Sequence, residues 1–522
     1  MFLVAGRWSF GLGQSVSANI DGITVAIAPE RGQRIETVQE PVAAFLGRAT
    51  AGPVNQPIRL TRFADFERVF GPAGEQALAL AVQQFFEHGG MQAVVVRLAS
   101  GATAGTIALP TDAQPLTLRA RNPGSAERLR VSVDASPNET DRGAVTLTVQ
   151  RLDPVRGHII DQEIHANVSM SVESQRFIAN VLEDSHLVEL ADVSSATARP
   201  TPMQAGVIDG AIGYQSMSEI GTDGCLLNDY DLIGSDRTRS GLFALESVAQ
   251  VDFVWVAAND CTDDPGPAFV VAAEHYCQQR NAILVLDPPR DCHNVAALMA
   301  WRQRQQHASA GTLTYFPGVI RRNDPSRVWH SAAGALIGML CRGDHERGVW
   351  SALDDQTARL NAAWQAAEAL GEADALQLLR LGVNPLVSNP TRRLLFPGLV
   401  TCANLRDKAQ GSLVLQRLIK FILRQVDQGT RWTVFAAPDD VKAAVETQVG
   451  DFLAELAAAG AFRRKQDHSG WWVTCEPGDQ DEVAVRIMLG FQPMQLAAPV
   501  MYLLTLRRDG TLATRAALSR SL

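Results

Sequence analysis

The chain has 522 residues, enough for about three or four domains at roughly 150 residues each. Its 47 basic and 56 acidic side chains leave a net charge of −9, which excludes the basic surface of a general nucleic-acid binder. With 46% hydrophobic and 20% charged residues it is not a mostly disordered chain. No apolar run reaches the roughly 18 to 20 residues of a bilayer span, so no direct membrane insertion is expected. The start, MFLVAGRWSFGLG, lacks a basic leading segment and is not read as a signal peptide. Seven cysteines lie singly between Cys225 and Cys475 with no CxxC, which reads as a reduced, cytoplasmic protein.

The first forty residues are broken by Gly6, Gly11, Gly13, Gly22, Pro29 and Gly32. Ile20–Ala28 and Arg34–Val38 are extended candidates, carried by the β-branched Thr24, Ile35, Thr37 and Val38. Such a segment has no core of its own and docks elsewhere or stays loose. A core then begins. Val42–Gly47 (VAAFLG) and Ala93–Leu98 (AVVVRL) read as buried strands, with helices at Asp65–Phe70 and Gln76–His88 between them. This pattern predicts a parallel sheet covered by helices.

From about Thr103 to Asp192 the sequence alternates apolar and polar residues, as in Leu116–Ala120, Arg128–Val133, Val145–Val149 and Ile159–Ile164. This is a β-rich insert with one helix near Ser174–Leu182. The α/β pattern returns with strands at Asp252–Ala257 and Ala282–Leu286 and helices at Pro267–Gln279, Val295–Gln305 and Ser331–Leu340. Leu353–Ala375 reads as helix and Leu381–Pro390 as loop. After about Asn404 a separate unit follows: helix Ser412–Gln428, strand Trp432–Ala436, a helix from Pro438 to Ala459, and strands Trp471–Cys475, Val483–Phe491 and Val500–Leu506. Arg507–Leu522 reads as a polar tail.

Catalytic motifs are scarce. Each of Lys408, Lys420, Lys442 and Lys465 is followed by Ala, Phe or Gln, so no P-loop is present. Gly11-x-Gly13 is no dinucleotide fingerprint, and HExxH, GxSxG and SxxK do not occur. His275, Cys277, Cys292 and His293 can be written as a zinc set, but structural zinc sites use closer ligand pairs. Asp260, Asp263 and Asp264 follow a strand, where carboxylates could hold a metal; the residues around them, NDCTDDPG, are equally turn formers. Asp287-Pro-Pro has the same two readings. Leu418, Ile419, Ile422 and Val426 form an apolar stripe beside Arg417, Lys420, Arg424 and Arg431. The stripe suits an amphipathic helix with a solvated basic face, or one that docks an acidic partner.

VAAFLGRATAGPVNQPIRLTRFADFERVFG at Val42–Gly71 resembles the contractile tail sheath proteins of phages and phage-like injection systems. So do AVQQFFEHGGMQAVVVRL, LTLRARNPGSAERLRV, SQRFIANVLEDSHLV, DYDLIGSDRTRSGLFALESV, DHERGVW and DQGTRWTVF, in the same order along the chain. There are departures, among them the unusual Met1–Ile20 extension and Arg507–Leu522 tail. Asp21–Val25 replaces the Pro-Gly-Val-Tyr run common in the family's arm, and RRLLFPGLVTC at Arg392–Cys402 lacks an aromatic-Gly-Ala-Arg run.

The resemblance implies an α/β protein with a subtilisin-like core, an inserted β-rich domain and a separate α+β C-terminal domain, flanked by extended terminal arms. The corresponding segments are an arm over 1–41, core over 42–102 and 196–403, insert over 103–195, C-terminal domain over 404–506 and tail over 507–522. It implies a structural subunit with no catalytic residue, cofactor or metal, assembled in the bacterial cytoplasm. That subunit forms six-fold helical rings around an inner tube and contracts to drive the tube through an envelope. Its implied partners are its own copies, the tube protein, and baseplate and tail-terminator proteins, with no nucleic acid. On this view Ile23, Thr24, Val25, Ile27, Ile35 and Val38 form an intersubunit arm. Val500, Tyr502, Leu504 and Leu506 form an intersubunit C-terminal strand, and Arg417, Lys420 and Arg424 contact the tube. The alternatives are an α/β enzyme with a carboxylate metal loop at Asp260–Asp264, and a non-contractile adhesin or shell protein.

Overall fold

The fold is that of a computed structural model. It describes residues 16–20, 23–27, 34–37 and 40–517, apart from 75, 137–142, 193–197, 204–206, 209–210, 259–260, 262–263, 305–307, 354–357, 389–393, 404–406, 436–437, 464–469 and 479–481. The chain divides into two compact units, one of Glu40–Leu418 and one of Ile419–Leu522 with Met1–Gln39.

The larger unit is built on a seven-stranded sheet. Its order is Val383–Pro385, Thr312–Phe316, Ile283–Leu286, Phe253–Val256, Val42–Gly47, Gln92–Arg97 and Pro57–Leu60. All neighbours are parallel except the last pair. Val42–Gly47 and Phe253–Val256 are buried along their whole length, as a sheet covered on both faces requires. Helices Phe63–Phe70, Ala77–Glu87 and Ala333–Arg347 cover one face, where Phe45, Phe85, Trp255 and Leu336 are buried together. Helix Pro267–Gln279 covers the other, over Ala44, Val94, Val254 and Leu284.

The small residues of SAAGALIGML have a steric reason. A Cβ on Gly334 would lie 2.0 Å from the Ala81 carbonyl oxygen, and one on Gly338 would lie 2.4 Å from that of Phe85. Backbone contact between the two helices therefore depends on glycine.

The insert holds two antiparallel sheets. One has the order Val188–Leu190, Leu116–Ala120, Thr106–Leu109, and the other Ile159–Val168, Val145–Leu152, Leu129–Ala135, Gln215–Ser216. Leu116, Leu118, Val131, Leu147 and Val149 form its core with helix Ile178–Glu183. Burial alone would raise the Glu163 carboxyl, but hydrogen bonds from His165, Ser185 and the His186 amide outweigh it and hold it down to about 2.

The smaller unit has an antiparallel sheet in the order Trp471–Pro477, Val483–Phe491, Val500–Arg507, Leu512–Ala517. Helix Pro438–Ala458 packs on it, with Glu446 accepting from the Cys475 amide at 2.8 Å.

Several expectations are corrected. Trp432–Ala436 is not a strand: Arg431–Phe435 is a 3-10 turn continuing helix Leu413–Thr430, and the Thr433 hydroxyl donates to the Thr430 carbonyl at 2.8 Å. Leu353–Ala375 is not one helix. Trp364–Ala366 instead pairs with Val319–Arg321, and a helix begins only at Glu372. Within the expected loop Leu381–Pro390, Val383–Pro385 is the edge strand of the main sheet, and the Asn384 amide donates to the Thr314 and Val400 carbonyls. The polar tail contains the strand Leu512–Ala517.

Gly334→Ala should destabilise the protein by about 1–3 kcal/mol, read as a lower urea midpoint at unchanged slope. A depressed carboxyl contributes stability above its unfolded value of about 4.3 and loses it as pH falls through its folded value. Glu163→Gln should therefore flatten the acid limb of the stability curve below about pH 4, by an amount of order 1 kcal/mol because the site is only partly shielded.

Candidate functional site

The arm is a hairpin. Val16–Ile20 and Ile23–Ile27 pair antiparallel from Val16↔Ile27 to Ile20↔Ile23. Ile23, Thr24, Val25 and Ile27 thus lie on its second strand. Among the described residues these two strands form a sheet of their own, and each keeps an unpaired outer edge.

Ile35 lies elsewhere. It is 2% exposed, and a Cβ on Gly429 would lie 2.5 Å from its Cγ1, so Ile35 seats on glycine at the end of helix Leu413–Thr430. Arg34 Nη2 pairs with Glu455 Oε1 at 2.6 Å and the Thr37 hydroxyl donates to Glu455 Oε2 at 3.3 Å. Ile35 thus packs within its own chain. Val38 lies outside the described residues.

Val500, Tyr502, Leu504 and Leu506 lie on a central strand flanked by Val483–Phe491 and Leu512–Ala517, so both its edges are taken within the chain. Leu504 and Leu506 are buried, and burial pushes the Tyr502 phenol up to about 12. The outer strands of this sheet are Trp471–Pro477 and Leu512–Ala517, the latter with Ala513–Ala516 exposed.

Two of the three residues expected at the tube are buried. Arg417 is buried, pairs with buried Asp344 and lies 5.7 Å from the Phe253 ring centroid. Arg424 is buried too, and Lys420 is half-buried. The face that reads as solvated is interior because Ile419, Phe421, Ile422 and Leu423 are all buried around it. Sequence pattern places charges on a helix but does not say which faces the fold covers.

Open α/β sheets bind ligands outside the carboxyl ends of their strands, where the strand order reverses. Here that point lies between Val42–Gly47 and Phe253–Val256, next to the carboxyl end of Gln92–Arg97. The chain itself occupies the neighbouring strand end. Arg97, fully buried, donates from Nη1 to the Gly52 and Pro123 carbonyls at 2.7 and 2.5 Å, and its Nη2 lies 3.9 Å from Asp223. Asp223 in turn accepts from the Ser125 amide and hydroxyl, at 2.7 and 2.6 Å. Burial lowers Arg97 to about 10 against the opposing pull of Asp223 and Glu127. This clamp joins the core, at Gly52, to the insert's turn at Pro123, between strands Leu116–Ala120 and Leu129–Ala135. The basic residue ending AVVVR and the Gly-Pro-Val-Asn turn were its signals in the sequence.

The enzyme reading finds little to build on. Asp264 accepts from Arg290 Nε at 3.1 Å, whereas Asp260 and Asp263 lie outside the described residues. His275 and Cys277 lie on helix Pro267–Gln279, Cys292 is buried, and His293 stands edge-on to Trp329 at 5.2 Å. Among the described residues no group of three His, Cys, Asp or Glu side chains is placed to hold a metal. Asp287 Oδ1 accepts from Trp255 Nε1, the Tyr315 hydroxyl and the Ser331 hydroxyl at 3.1, 2.5 and 2.8 Å. Burial raises this carboxyl and the hydrogen bonds oppose the rise. The Tyr315 oxygen also accepts from the Ala332 amide at 2.9 Å, so the group pins two strands to the start of helix Ala333–Arg347.

Arg417→Ala leaves a buried carboxylate unpaired and should cost about 3–5 kcal/mol, against under about 1 kcal/mol for Lys420→Ala, as denaturant midpoints would show. Equal small effects would return Arg417 to the surface.

No family model matches the sequence, and no curated protein is similar to it by sequence. Solved structures are similar in fold. The sheath tail protein Lin1278 from Listeria innocua matches with TM-score 0.63 at 12% identity, over 91% of this chain and 97% of that one. The sheath tail protein DSY3957 from Desulfitobacterium hafniense matches with TM-score 0.56 at 14% identity, over 92% and 98%. The helical sheath of the anti-feeding prophage, in its contracted state, matches with TM-score 0.51 at 12% identity, over 92% and 97%. From the parallel core through the insert to the C-terminal sheet, the chain has the fold of the contractile tail sheath proteins.

Proposed function

We propose that this chain is a structural subunit of a contractile tail sheath, polymerising into six-fold helical rings around an inner tube and contracting to drive the tube through a target envelope. The observation that carries the reading is the hairpin of Val16–Ile20 and Ile23–Ile27, a two-stranded sheet with both outer edges unpaired among the described residues, in a chain whose fold is similar to that of a sheath tail protein over 91% of its length. A lone two-stranded ribbon is at best marginally stable in water. Its edges are suited to extending a sheet of another copy, through main-chain bonds that ask little of side-chain identity. The outer strand Leu512–Ala517 or Trp471–Pro477 of a neighbouring copy would receive it.

The seven-stranded sheet with its helices is read as the subtilisin-like core of that family, in a structural role without catalysis. Its partners are its own copies, a tube protein, and baseplate and terminator proteins. Particles of this kind assemble in the bacterial cytoplasm. Contraction is then a passage between two packings of rigid bodies linked by their arms, not a chemical step.

Electron micrographs of the purified chain should show striated hollow cylinders. Removal of residues 16–27 should leave a folded, soluble subunit, because the Ile35 anchor stays in place, yet abolish long cylinders. Unchanged cylinders would refute the arm's role. A monomer that turns over a substrate would favour the enzyme reading instead.

A further inference from the structure

Helix Ala77–Glu87 ends on a buried histidine. His88 is 3% exposed, and both its ring nitrogens are bonded. Nδ1 lies 2.6 Å from the Gln84 carbonyl oxygen, and Nε2 accepts from the Asn361 amide at 2.9 Å. A backbone amide can only donate, so Nε2 carries the lone pair and Nδ1 the hydrogen. The two bonds thus hold the ring as one neutral tautomer.

Asn361 is the pivot of a short strap that meets this helix end. Its side-chain oxygen accepts from the Ala363 amide at 3.0 Å and its carbonyl from the Trp364 amide at 3.1 Å. The turn so made delivers Trp364 into the core, where it is 4% exposed. Beyond it Trp364–Ala366 pairs with Val319–Arg321, a ribbon of three residues a side that is weak by itself. A proton on Nε2 would set an N–H against the Asn361 N–H and leave a positive charge in the interior. Burial lowers the ring from its ordinary value of 6.5; the Gln84 carbonyl and Glu87 on its own helix oppose the fall, and Arg342 on helix Ala333–Arg347 adds to it. The strap meets the ring with the Asn361 amide, and Arg359 is the nearest charged residue along that segment.

We propose that His88 is a proton-operated latch: neutral, it holds the strap of residues 361–366 on the end of helix Ala77–Glu87, and protonated, it lets the strap go. Because the folded ring resists the proton, acid favours the open form. The latch has its full strength above about pH 6.5 and loses it as pH falls from there to the ring's lowered value. Ala362, Ala363 and Trp364 also wall a groove of about 380 Å³ with Gln83, Glu87 and Arg321, so release opens this face of the unit. The inference rests on the larger unit by itself and holds whether or not copies assemble.

The test is hydrogen exchange of the full chain at about pH 7.5 and about pH 4.5, read as protection factors so that the intrinsic change in rate cancels. Protection at residues 361–366 should fall by at least about tenfold in acid, while Val42–Gly47 stays protected. Two substitutions separate the ring's nitrogens. His88→Asn keeps a donor for the Gln84 carbonyl and loses the Asn361 acceptor, so the strap should be loose at both pH values. His88→Gln brings an amide oxygen within reach of the Asn361 amide, so the strap should stay protected at both. Protection unchanged by acid in the native chain overturns the proposal. So does an acid loss that persists in His88→Gln, which would point instead to His330, edge-on to Trp364 at 5.8 Å.

Discussion

A β-ribbon of two strands satisfies only its inner row of amides and carbonyls. The hairpin Val16–Ile27 is such a ribbon, and its outer rows have no strand beside them among the described residues. Each backbone bond is worth only about 1 kcal/mol net, so the ribbon gains little by itself and much by joining an edge repeatedly. The anchor at Arg34, Ile35 and Thr37 supplies its complement, a fixed point from which the ribbon departs.

The larger unit, by itself, is built to stay rigid. Its central strands are buried on both faces, its glycine-faced helices touch backbone to backbone, and Arg97 ties the insert to the core through carbonyls and Asp223. In many enzymes of this architecture the strand ends are left open for a substrate; here the turn at Pro123 meets Arg97 at one of them. The Asp287, Tyr315 and Ser331 group looks catalytic in composition, yet its hydrogen bonds are spent on holding strands to a helix start. Stiff bodies joined by ordered arms are what a lattice needs if it is to move without coming apart.

Much of the core was legible in the sequence. VAAFLG, AVVVR, FVWV and ILVL are unbroken apolar runs between turn formers, and such runs have few places in a fold other than the middle of a covered sheet. What stayed hidden depended on distant partners. The Ala513–Ala516 segment is a strand because Val500–Arg507 offers it an edge, not because its side chains favour one. Arg417 reads as a surface charge until Asp344, some seventy residues earlier, is seen to meet it in the interior. Gly429 was the missed signal for the arm anchor: a glycine inside a helix marks a close approach, and the approach is Ile35.

Hydrogen exchange of the backbone amides in residues 16–27, compared between isolated subunit and assembled particle, tests the central claim most directly. Fast exchange in the subunit and strong protection in the assembly is the predicted outcome. Protection already complete in the isolated subunit, or none gained on assembly, would contradict it.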